Sequence, residues 1–116
     1  MKMLKFYGCF VEPIKDGIKT STIRQKFDGK VGDNVEAYET NHGPFGWTGE
    51  FFGFLKIRSI KYIRFDEIDK EIARTEGYLH EDLLKEALYD CYDDLEESSL
   101  LYYIVFEFVE KEESTE

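Results

Sequence analysis

A chain of 116 residues fits one domain built on one core. With 42% hydrophobic and 16% aromatic residues that core can be well filled, yet no apolar run approaches the roughly 20 residues of a membrane-spanning helix. The net charge of −10 argues against a general nucleic-acid binder.

The charge is unevenly placed. Residues 1–65 carry 11 Lys/Arg against 7 Asp/Glu, whereas residues 66–116 carry 4 against 18. The N-terminal half therefore remains able to attract an anionic or polar ligand. Met1-Lys2-Met3-Leu4-Lys5 has no apolar block behind its charges, so no signal peptide and a cytoplasmic location are expected. Cys9 and Cys91 lack C-x-x-C spacing and are expected to be two buried free thiols.

In chain order, Leu4 to Cys9 reads as a short strand. Val11 to Gly17 reads as one helical turn, with Pro13 at its first positions and Gly17 at its end. Thr20 to Arg24 is a β-branched strand with Ile23 on one face and Thr20, Thr22 and Arg24 on the other. Gly32-Asp33 signals a turn before a strand at Asn34 to Thr40. Residues 41–49 have loop chemistry and carry Phe45 and Trp47. Glu50 to Ile63 is a long aromatic strand in which Gly53 predicts a bulge or bend.

The pattern changes at Phe65-Asp66. Asp66 is a good N-cap, Ile68, Ile72 and Ala73 recur at helical spacing, and Gly77 ends that helix. Leu79 to Tyr92 is a second helix with a Leu83, Leu84, Ala87, Leu88, Cys91 stripe. An acidic loop leads to a last strand, Leu100 to Val109, apolar on both faces and therefore expected inside the sheet. The domain is placed at 1–109, with 110–116 an acidic, disordered tail. Runs of strands with segregated helices predict an α+β fold, and the bent aromatic strands predict a small β-barrel flanked by helices.

Few constellations carry chemistry. His42 and His80 are the only histidines and sit in no ligand spacing, and no P-loop or G-x-G-x-x-G is present. No metal and no cofactor are expected. Lys19, Thr22 and Arg24 leave the Gly17 turn together. A threonine hydroxyl needs a base, and a desolvated lysine can serve as one. Strict alternation, however, sets Lys19 and Thr22 on opposite faces, so they meet only if Lys19 lies outside the regular strand. Glu76 ends the first long helix, where an acid opposes the helix dipole at a cost of about 0.3–1 kcal/mol. It is either a solvated glutamate or a functional one. Phe45 and Trp47 either stack a base or fold back on the barrel.

The series Gly17-x-Lys19-Thr20-x-Thr22-x-Arg24, Gly32-Asp33-x-Val35, Ala73-x-x-Glu76-Gly77 and the closing Tyr-Ile-Val-Phe-Glu-Phe at 103–108 resembles the ASCH domain, a PUA-like β-barrel. It is most similar to the short bacterial ASCH proteins that hydrolyse N4-acetylcytidine. The resemblance implies an amidohydrolase in which Thr22 attacks the amide, Lys19 is its base and Glu76 orients the lysine or handles the amine's proton. Arg24, Thr20, Phe45 and Trp47 would bind the substrate, a small modified nucleoside. The 41–50 loop is longer, and the second helix more acidic, than in those enzymes. A non-catalytic RNA or modified-base binding module and an RNA nuclease remain alternatives. No membrane partner is expected.

Overall fold

The computed structural model describes residues 2–40 and 49–110. Five strands form one sheet: β1 (Met3–Tyr7), β2 (Ser21–Arg24), β3 (Asn34–Thr40), β4 (Phe51–Arg64) and β5 (Leu100–Glu110), in the spatial order β1-β3-β4-β5-β2. β1 runs parallel to β3, and the other neighbours are antiparallel. Three helices flank the sheet: α1 (Val11–Lys15), α2 (Lys70–Thr75) and α3 (Glu81–Cys91). This is the expected α+β domain, with a sheet curled into a half-barrel.

The curl has a local cause at Gly53. Its φ is +149°, and a Cβ there would lie 2.5 Å from the Phe108 ring and 3.0 Å from the Val109 carbonyl. Only glycine permits that approach. The β3–β4 register shifts beside it, between Ala37 and Tyr38, as a bulge does where a sheet turns a corner. A second shift, between Ile57 and Ser59, bends β4 against β5.

Alternation then sorts the core into two layers. Leu4, Phe6, Val35, Ala37, Leu55, Ile57, Ile104 and Phe106 fill the concave interior with Ile14 of α1. Ile23 and Leu101 face the other way and pack with Ala73 of α2 and Leu84 and Leu88 of α3. β5 lies between β4 and β2, inside the sheet as its apolar faces require.

The half-barrel stops short of a closed ladder. β1 and β2 are the two edges, and among the described residues no backbone pairing joins them. A side chain bridges the gap instead: Arg24 Nη2 donates to the Lys5 carbonyl at 2.9 Å.

Three expectations are corrected. The helix expected from Asp66 to Gly77 is two elements, a 3-10 turn at Phe65–Glu67 and then α2. Asp66 does not cap it, because its carboxylate takes Arg64 at 2.8 and 3.1 Å; Asp69 is the cap and accepts from the Ile72 N–H at 3.0 Å. The second helix starts at Glu81 rather than Leu79, and Leu79 is exposed. Cys9 is exposed on a 3-10 turn, Gly8–Phe10, rather than buried, and Cys91 is half-buried. Among the described residues no helix is long and apolar enough to cross a membrane.

Candidate functional site

The cavity of interest lies at the seam between the two edge strands. It measures about 280 Å³ and is lined by Phe6 and Tyr7 of β1, Thr22 and Arg24 of β2, Lys19, Glu76 and Tyr78 from the connections, and Leu88, Asp90 and Cys91 of α3 with Tyr92 just beyond it.

Local structure brings Lys19 and Thr22 to it together. α1 ends at Lys15, and the N–H groups of Ile18 and Lys19 both donate to the Pro13 carbonyl, which holds the chain in a non-strand turn. β2 begins only at Ser21. Lys19 is thus outside the alternating segment, and the rule that set it opposite Thr22 does not apply to it. Lys19 and Thr22 line one cavity, although among the described residues no hydrogen bond joins them directly.

Lys19 is 3% exposed. Its Nζ donates to the Glu76 carbonyl at 2.9 Å and meets Glu76 Oε1 at 3.4 Å. Glu76 is the C-cap of α2, so the lysine places its nitrogen on the carbonyl that closes the helix. That is the compensation which the helix-terminal acid lacked in the sequence. The lysine stem also packs on Gly77, whose φ of +91° turns the chain there. Phe10 lies 4.7 Å and Phe6 5.9 Å from Nζ at their ring centroids. Burial pushes the Lys19 pKa down from its ordinary value. The Glu76 carboxylate opposes that shift and Arg24 reinforces it.

Arg24 Nε donates to Thr22 Oγ1 at 3.0 Å, and its guanidinium lies 5.0 Å from the Phe6 ring centre. The Thr22 oxygen is held as an acceptor, which leaves its own hydrogen available to a base. Burial lowers the Arg24 pKa, with Tyr92 and Glu76 opposing; a guanidinium nevertheless keeps its proton in a protein. Tyr78 packs edge-on against Phe10 and is raised to about 12, by burial first and Glu76 second. Burial also raises Cys91 and Tyr92, against the pull of Arg24.

Thr20 is not among the cavity's lining residues. Its N–H donates to the Thr75 carbonyl at 2.7 Å and its carbonyl accepts from Phe106 at 2.9 Å, so it splices α2 and β5 to the start of β2. Phe45, Trp47 and His42 lie outside the described residues. Among those described, no group of three or more His, Cys, Asp or Glu is placed to hold a metal ion.

Ser21 and Thr75 were not singled out by the sequence. Ser21 is fully buried; its Oγ donates to Glu76 Oε2 and lies 2.7 Å from Thr75 Oγ1. One signal was available. Ser21 shares a strand face with the apolar Ile23, and a hydroxyl on a buried face needs a partner.

No family model and no curated protein matches the sequence. Solved structures do match in fold. Protein EF3133 from Enterococcus faecalis V583, described with the family model DUF984, superposes with a TM-score of 0.71 at 15% identity, over 95% of this chain and 77% of that one. An ASCH domain from Lactobacillus crispatus JV V101 gives 0.70 at 17% identity, over 95% and 81%. The hypothetical protein PH0355 gives 0.64 at 18% identity, over 94% and 100%. The chain thus has the ASCH, PUA-like fold. At these identities the likeness is one of fold alone.

Proposed function

We propose that the chain is an amidohydrolase that removes the acyl group from the exocyclic amine of N4-acetylcytidine or a related modified nucleoside. The observation that carries this reading is the convergence of Lys19, Thr22, Arg24 and Glu76 on one cavity, with the lysine buried and its pKa lowered. Desolvated lysines beside a hydroxyl are a known way to activate it. The cavity, near the lower end of small-molecule sites, suits a base or nucleoside rather than a folded RNA.

In this reading neutral Lys19 takes the Thr22 proton as Oγ1 bonds to the acetyl carbon. An Arg24 N–H not spent on Thr22 or the Lys5 carbonyl faces the developing oxyanion. The C–N bond breaks, and the amine receives a proton from Glu76. Water then attacks the acyl-threonine and gives a proton back to Glu76, Lys19 returns its proton to Thr22 Oγ1 as the acyl bond breaks, and acetate leaves with one proton released to solvent. The products are cytidine and acetate, with no co-reactant beyond water.

The test is incubation of the purified chain with N4-acetylcytidine, following cytidine and acetate at low and high salt. Turnover that is indifferent to salt supports a nucleoside hydrolase. Binding without turnover, or binding of oligonucleotide that weakens steeply with salt, replaces it with a recognition module.

A further inference from the structure

A row of hydroxyls runs from the cavity's carboxylate out through the layer between β2 and α2. Ser21 Oγ contacts Glu76 Oε2 and lies 2.7 Å from Thr75 Oγ1. Thr75 Oγ1 lies 2.7 Å from the Tyr103 hydroxyl and 2.8 Å from the Ile72 carbonyl. The carboxylate is divided: Oε1 faces Lys19 and Oε2 faces the row.

We propose that Ser21 and Thr75 are positioning residues that let Glu76 give up and take back a proton without moving, by reversing the direction of this row. The inference rests on the reading of Glu76 as the group that protonates the leaving amine.

Each hydroxyl has one hydrogen and two lone pairs, which fixes what the row can do. When Glu76 is ionised it only accepts. Ser21 then donates to Glu76, Thr75 to Ser21, and Tyr103 to Thr75. When Glu76 is protonated, it donates to Ser21, Ser21 to Thr75, and Thr75 to the Ile72 carbonyl, while Tyr103 still donates to Thr75. The Ile72 carbonyl accepts the Glu76 N–H at 3.1 Å in either case, so it is never left without a partner. Both protonation states are therefore fully bonded: as the proton leaves or returns, hydroxyl hydrogens rotate and no heavy atom has to move. Ser21 is fully buried, so water does not substitute for this arrangement. Threonine at 75 is what makes it reversible, because its hydrogen has two places to go.

The charged and titratable groups that face Glu76 are Lys19 and Arg24 from the β2 side and Tyr78 beyond the α2 end. Across the cavity stand Tyr7 of β1 and Asp90 and Cys91 of α3. All are common to the variants below, so differences between variants report the row.

The experiment follows the Glu76 carboxyl by carbon NMR in glutamate-labelled protein, assigned by its loss in Glu76→Gln. Ser21→Ala removes the donor to the ionised form, and the midpoint rises by about one pH unit. Thr75→Val strands the Ser21 hydrogen when Glu76 is protonated, and the midpoint falls by a similar amount. Thr75→Ser keeps the hydroxyl and restores the original midpoint. On substrate, Thr75→Val lowers kcat about tenfold with KM retained, and Thr75→Ser recovers it. Midpoints that stay put or move in the same direction overturn the proposal, as does a Thr75→Ser variant that behaves like Thr75→Val. The titration needs no substrate. Opposed midpoints in a chain that hydrolyses nothing support the reversible row and remove the hydrolase reading.

Discussion

The interior of the sheet and the seam beside it are both largely shut off from water but are filled with opposite chemistry. Inside, Val35, Ala37, Leu55 and Ile104 are completely buried. Each large apolar side chain there contributes about 1.5–3 kcal/mol through burial. At the seam Lys19, Thr22, Arg24 and Glu76 are all at most 8% exposed, and none of them gains from leaving water. They stay buried only because each is partnered: lysine with a helix end, arginine with a strand edge and Thr22, and glutamate with Ser21. The two regions divide the labour. The concave core holds the sheet in its curl, and the seam uses that rigidity to hold groups that are costly to bury.

Breaking the seam alone gives the largest expected effect. Thr22→Ala lowers turnover of N4-acetylcytidine by at least ~10³-fold, while the melting temperature stays within a few degrees of the parent. A residual rate within tenfold of the parent rules out Thr22 as the nucleophile. Breaking the interior alone does the reverse. Leu55→Ala costs about 2–5 kcal/mol in denaturant unfolding and leaves the rate per folded molecule unchanged.

A smaller effect sharpens the contrast through pH. Lys19 is lowered in the folded chain, chiefly by burial, so between its folded value and about 10.4 the unfolded chain holds the extra proton. Stability contributed by this group therefore rises with pH across that window, at up to ~1.4 kcal/mol per pH unit. Lys19→Met removes that part of the slope. The hydrolysis rate rises through the same midpoint as Lys19 loses its proton, and a rate that falls there contradicts a lysine base. The smallest effect is at the convex surface. Arg58 and Glu107 form an exposed ion pair, and Arg58→Ala changes stability by less than about 0.5 kcal/mol.

The strands, α1 and the two-helix insertion were legible because period-two and helical spacing are local properties. β3 was placed to the residue, and Gly53 marked the bend. The start of the first of these helices was misread because two aspartates, Asp66 and Asp69, compete as caps, and the choice depends on Arg64 claiming the first. For the candidate site, the family resemblance singled out Lys19, Thr22, Arg24 and Glu76, but two things could not be named. One was that β2 begins late enough to free Lys19 from the alternation. The other was that Ser21 and Thr75 meet, because a hydroxyl on a strand and one on a helix look solvated until the two elements pack. Phe45 and Trp47 remain expectations of the sequence.

The pairing of β2 has a consequence for the order of assembly. Among the described residues its only ladder is with β5, where Thr22 lies opposite Ile104, while β1 pairs with β3 and β3 with β4 before β5 joins β4. A chain leaving the ribosome can complete those three strands and still hold β2 without a neighbour. Closing so long a loop is slow, and the ladder bonds of β2 arrive only with residues 102–105, later in the chain than its partners Thr75 and Glu76. The segment with the lysine and threonine therefore acquires its strand pairing only when β5 lies beside it.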